Sequence, residues 1–169
     1  DPPKAYLTEY QQPNGSRFGA DAIYNAENKK YGGMLTFFYK VGDEKEKDLL
    51  HLNVYEGERL IRTLKRKAPK ETGFHRWYWT LNEKGVERPS RKERKSKSEP
   101  RGVTGKPGVY RIGMGNASIT SEVNNEVLSD PRISISEKAI EDRYNYSKTI
   151  ESYLEKTTYA VNQLKESKK

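Results

Sequence analysis

The chain reads as a mainly β protein: an immunoglobulin-like or fibronectin-like antiparallel β-sandwich followed by a long C-terminal α-helix. Three observations predict it. Short β-rich runs recur between residues 33 and 123, several of them alternate apolar with polar side chains, and after "SDPRISIS" the apolar period changes from two to between three and four.

The first stretch, 1–32, is rich in turn formers and shows no sustained period, so it reads as an extended lead-in with room for one short strand. From residue 33 the runs are "GMLTFFYK" (33–40), "LLHLNVYE" (49–56), "RLIRTLKR" (59–66), "FHRWYWTL" (74–81), "GVYRIGM" (108–114) and "ASITSEV" (117–123). In the second run Leu50, Leu52 and Val54 share one face while His51, Asn53 and Tyr55 share the other. "YEGERL" supplies a tight hairpin connection, with Gly57 free to take positive φ. The sandwich is therefore placed at 33–133.

Both tryptophans lie in "GFHRWYWTL". On a strand His75, Trp77, Trp79 and Leu81 have one parity and Arg76, Tyr78 and Thr80 the other. Buried indoles cover a large apolar area, which favours Trp77, Trp79 and Leu81 as core with Leu52 and Val54 over a stacking platform for bases or sugars.

The C-terminal part, 134–169, is predicted to be helical. "SISE" (134–137) matches a capping box, with Ser134 as cap and Glu137 reaching back to it. Ile140, Tyr144, Ile150, Leu154, Val161 and Leu164 then recur at mostly helical steps, with Ser147 and Thr157 in the gaps. Ile150, Leu154, Val161 and Leu164 read as a helix interface through which a second copy could pair.

Composition bounds the chemistry. Hydrophobic and charged residues each make up 33% of the chain, and mean hydropathy is −1.06. That composition predicts a modest core under a large solvated surface. The net charge of +8 is concentrated: eight cations and two carboxylates fall between Arg88 and Lys106. This segment is read as a mobile basic loop, because it cannot bury enough apolar surface to order itself. Arg91, Lys92, Arg94 and Lys95 are the candidate contacts for weak, salt-dependent polyanion binding. No aromatic stands between Arg88 and Val109 to stack a base.

No catalytic residue set stands out. His51 and His75 lack a clustered carboxylate or thiol at ligand spacing, there is no cysteine, and no phosphate-binding loop, nucleophile elbow or dinucleotide fingerprint occurs. No metal site and no cofactor are implied. No apolar run approaches the roughly 20 residues that span a bilayer. The start "DPPKAYL" carries neither an initiator methionine nor an apolar signal core, so a processed or excised product is expected.

The order "KKYGGMLTFFYK", "LLHLNVYEGERLIRTLKR", "GFHRWYWTLNEKG", "GKPGVYRIGM" and "SDPRISIS" before a long helix resembles the C-terminal region of secreted bacterial sortilin-like, BNR-repeat glycosyl-hydrolase-type propeller proteins. In that family an immunoglobulin-like domain, related to that of the flagellar hook-cap protein, follows a large β-propeller. The resemblance covers roughly 31–165. Gly73, His75, Arg76, Trp79 and Leu81 match its G-x-N-R-x-x-W-x-L strand, with His in place of Asn, and Pro107, Gly108 and Tyr110 match its Pro-Gly-x-Tyr strand start. Lys30, Tyr31, Gly32 and Gly33 stand where the family has a Pro-Tyr-Gly-Ala-like segment. The basic 88–106 stretch is unusually long, and the second helix that often follows is absent.

The resemblance implies a non-catalytic accessory domain of a larger exported protein, secreted or at the bacterial cell surface. Its partner would be a neighbouring propeller domain or another protein, and any catalysis would reside in that neighbour. The alternative is a polyanion- or carbohydrate-binding module that uses the basic stretch and exposed aromatics.

Overall fold

The computed structural model of the protein describes residues 1–8, 30–41, 49–90, 98–115 and 119–167. Nine strands precede one helix among them: β1 (Ala5–Leu7), β2 (Gly33–Tyr39), β3 (Leu49–Glu56), β4 (Arg59–Lys67), β5 (Gly73–Trp79), β6 (Asn82–Lys84), β7 (Arg101–Thr104), β8 (Gly108–Gly115), β9 (Ile119–Ser129) and α1 (Glu137–Glu166).

A five-stranded sheet, in the order β1-β9-β8-β3-β4, faces the two-stranded sheet β2-β5, and β6 with β7 forms a third short pair. The protein is thus a β-sandwich with one long C-terminal helix. β1 runs parallel to β9, Ala5 opposite Val127, while the other pairings are antiparallel. The core lies between the two larger sheets. Leu50, Leu52 and Val54 point inward from β3 against Leu35, Trp77 and Trp79, and Ile61, Tyr110, Ile112 and Val127 close it. The hairpin between β3 and β4 turns at Gly57, φ 58°. A glycine is also required at Gly32, φ 120°, where a Cβ would stand 2.3 Å from the Trp79 carbonyl oxygen.

Three local features depart from the sequence reading. The run 74–81 does not continue as strand to Leu81: β5 ends at Trp79, and Leu81 is fully buried from a left-handed turn, φ 55°. That turn is held because the Trp79 indole donates to the Asn82 carbonyl (3.0 Å) and the Gly105 amide donates to the Leu81 carbonyl (2.8 Å). Alternation therefore explains the two tryptophans but not Leu81.

The basic stretch is not loop throughout, since Arg101–Thr104 is β7 and pairs with β6. Residues 91–97, with Arg91, Lys92, Arg94 and Lys95, lie outside the described residues.

Ser134 does not cap the helix. Ser136 does, its hydroxyl accepting from the Ala139 amide at 3.2 Å, because the chain is still turning at Asp130, whose carbonyl and carboxylate take the Ile133 and Arg132 amides. At about 1.5 Å per residue the 30-residue helix is on the order of 45 Å long.

Candidate interaction surfaces

α1 meets the sandwich through polar groups more than apolar ones, because Ile140 and Thr158 are its only buried residues among those described. The centre of the joint is Glu83 on β6, whose side chain is 5% exposed. Its carboxylate accepts from Arg59 (2.8 and 3.2 Å), from the Tyr144 hydroxyl (2.5 Å) and from Lys148 (3.4 Å). Arg59 also bonds Glu56, and Lys148 also bonds Glu151. Farther along, Thr158 donates to the Glu87 carbonyl at 2.7 Å and Lys165 to that of Ser90. Near the helix start Lys106 pairs with Glu141 at 3.0 Å and lies over the Tyr144 ring.

Burial alone would push the Glu83 carboxyl up, but hydrogen bonds from Arg59 and Tyr144 outweigh it and hold the group below the ordinary carboxylate value. Burial, together with the hydrogen bond to Glu83, raises the Tyr144 phenol. A carboxyl whose folded value is depressed contributes stability that is fully present above its unfolded value, about 4.3, and is lost as pH falls through the folded value. Helix docking should therefore weaken below about pH 4. Glu83→Gln should reproduce the loss at neutral pH at a cost of about 2 kcal/mol, the scale of hydrogen bonds to a charged group. Amide exchange through Ile140 to Glu151 checks both. Exchange that stays equally slow in the variant and in acid would show that the joint does not depend on this carboxylate.

A second joint is built on Arg62 of β4, which is 5% exposed. Its guanidinium donates to the carbonyls of Glu83 (2.9 Å), Glu99 (3.1 Å) and Pro100, and its Nε lies 3.9 Å from the Glu99 carboxylate. Glu99 in turn accepts from the Thr63 amide at 2.9 Å. One buried cation thus ties the ends of β6 and β7 to the main sheet.

The outer faces of the two sheets differ. On the five-stranded sheet polar pairs hold much of the outer face, since Thr63 bonds Asn53 and Arg111 stacks on Tyr55 and pairs with Glu122, although Leu60 and Val109 are also exposed there. On the two-stranded sheet the outward cross-strand pairs are Met34 with Tyr78, Thr36 with Arg76, and Phe38 with Phe74. Phe38 and Phe74 are 59% and 78% exposed and meet edge to face with centroids 5.3 Å apart. Lys30 lies over the Tyr78 ring at the rim.

The residues singled out from sequence fall into separate places. Trp77, Trp79, Leu81, Leu52 and Val54 are buried together. Trp79 packs edge to face on Tyr110 at 4.9 Å, and Trp77 on Phe37 at 5.0 Å with Arg66 over it. The four helix residues do not form one face: Leu154 and Val161 are half-buried beside the sandwich, whereas Ile150 and Leu164 are exposed. Thr158, not Thr157, occupies the buried stripe. His75 bonds the Glu71 carbonyl at 2.9 Å, and His51 is half-buried on β3. Among the described residues no group of three or more His, Cys, Asp or Glu is placed to hold a metal, and no helix is long and apolar enough to cross a membrane.

Glu83, Arg62 and Arg59 escaped the sequence reading. "NEKG" looks like a solvated turn, and nothing local announces that its glutamate is covered by a helix about sixty residues later. Comparison with family models, with characterised proteins and with solved structures finds no match to this chain.

Proposed function

We propose that the chain is a non-catalytic packing module, an immunoglobulin-like sandwich that docks onto a neighbouring domain of a larger exported, propeller-type protein. The observation that carries this reading is the outer face of β2 and β5. In a two-layer sandwich that face is ordinarily solvated and polar. Here four of its six cross-strand residues, Met34, Phe38, Phe74 and Tyr78, are apolar or aromatic, and such an exposed cluster marks a docking surface. Arg76 and Lys30 beside it fit a partner whose apolar patch is ringed by carboxylates.

Two further features support the class. Tyr110, near the start of β8, donates its hydroxyl to the Lys106 carbonyl at 2.7 Å, in the manner of the tyrosine corner of immunoglobulin-like sandwiches. The other is the resemblance itself, carried by "GFHRWYWTLNEKG" and "GKPGVYRIGM", the segments that form β5, β6 and most of β8. The second reading, a polyanion- or carbohydrate-binding module, draws its support from the cations clustered between Arg88 and Lys106.

The test titrates the chain against the domain adjoining it in its reading frame. Phe38→Ser with Phe74→Ser should weaken binding at least tenfold, since exposed aromatic anchors dominate such interfaces, and should leave the melting temperature within a few degrees. Unchanged affinity in the double variant would remove the proposed face. Retention on heparin that falls steeply with salt, without any affinity for the adjoining domain, would instead favour the second reading.

A further inference from the structure

The helix presents a second unpartnered surface, separate from the sheet face above. Tyr146, Ile150, Tyr153, Thr157, Ala160 and Leu164 follow one another at steps of four, three, four, three and four residues, the spacing of alternate d and a positions in a heptad. All six are exposed, with Tyr146 at 72%, Ile150 at 66%, Tyr153 at 62% and Leu164 at 64%. At 3.6 residues per turn this seam lies about 120° around the helix from the stripe of Ile140, Tyr144, Glu151, Thr158 and Lys165 that faces the sandwich. Docking to the sandwich therefore leaves it free. Leu154 and Val161 sit half-buried at the edge of that stripe nearer the seam and widen the apolar surface.

We propose that this seam pairs with the same seam of a second copy, the two helices running antiparallel. Turning the helix about a point between Tyr153 and Thr157 places Tyr146 opposite Leu164, Ile150 opposite Ala160, and Tyr153 opposite Thr157. The inner layers then each set a large side chain against a small one, which fills the space between the helices. A parallel pairing would stack tyrosine on tyrosine and alanine on alanine, crowding some layers and emptying others.

Opposed macrodipoles favour the same orientation. The seam is about 27 Å long, and closing it removes on the order of 1,000 Å² from water in total, the lower bound of a specific interface. The dimer is accordingly a weak one, with dissociation in the micromolar range.

Sedimentation of the whole chain from about 5 to 200 µM tests this, and the expected result is a concentration-dependent shift toward twice the monomer mass. Ala160→Glu, on an exposed helical position where glutamate is well tolerated, should raise the dissociation constant at least tenfold while circular dichroism and melting stay those of the parent. Ile150→Glu serves as the second variant. Because the chain has no cysteine, Ile150→Cys and Ala160→Cys report orientation. Mixed, they should cross-link to each other; each alone should not. A monomer at every concentration overturns the proposal, as does cross-linking of either variant with itself only. Phe38→Ser with Phe74→Ser should leave the dimer intact, so failure of the sheet face and failure of this seam are told apart.

Discussion

Trp79→Ala is expected to destabilise the protein by about 3–5 kcal/mol, the range for truncating a large aromatic in a core. The indole is fully buried, stands edge to face on Tyr110, and donates its N–H to the Asn82 carbonyl. Truncation empties the space and also orphans that carbonyl at the turn where Leu81 holds a left-handed conformation. The loss of packing and the loss of the turn should therefore appear together. Urea unfolding of parent and variant measures the first, and amide exchange at Gly105, which bonds the Leu81 carbonyl, measures the second. A variant that unfolds at the parent's midpoint would show that the indole is not the centre of the core. Total stabilities of single domains are only about 5–15 kcal/mol, so a change of this size removes much of the margin.

Arg62→Leu is expected to have an effect of similar size, about 3–5 kcal/mol, by a different route. Leucine fills much of the volume of the arginine stem, so little of the cost is cavity. It comes from leaving the carbonyls of Glu83 and Glu99 without this donor, taking from the Pro100 carbonyl one of its two donors (the Gly85 amide remains), and removing the cation beside the Glu99 carboxylate. Arg62→Lys should recover only part of the loss, because an ammonium is a point charge and lacks the planar fork that reaches several acceptors at once. The loss should also be local at first. β6 and β7 should exchange their amides faster than β3 and β8, each of which is paired on both sides within the five-stranded sheet. Equal stability of Arg62→Leu and the parent would mean that water replaces the guanidinium at this joint.

The sandwich was legible because its signals are local. Alternation in Leu49–Glu56 and the glycine turn at Gly57 depend only on neighbours in the chain, and the structure places β3, β4 and their hairpin there. Strands β1, β6 and β7 were harder to read: they are three or four residues long, too short to show a period, and exist by virtue of the strands they pair with. The helix start was off by two residues for a related reason. Ser134 and Ser136 both have capping chemistry, and the choice between them was made by the turn at Asp130.

The helix shows the division most sharply. Its existence and length follow from sequence, through an apolar period and a serine cap. Which of its faces is inside does not, because Ile140, Tyr144, Leu154 and Val161 belong to one stripe and Tyr146, Ile150, Tyr153 and Leu164 to another, and both have helical spacing. The tie is broken by Glu83, a buried carboxylate brought by β6 to the place where Tyr144 and Lys148 can reach it. By itself the sequence determined the longer strands, the apolar side of the core and a long terminal helix, since these depend on local periodicity. Only the tertiary structure decided which charges are buried, which helix face is covered and which aromatics remain outside, because each of those depends on residues far apart in the chain meeting in a shared space that excludes water.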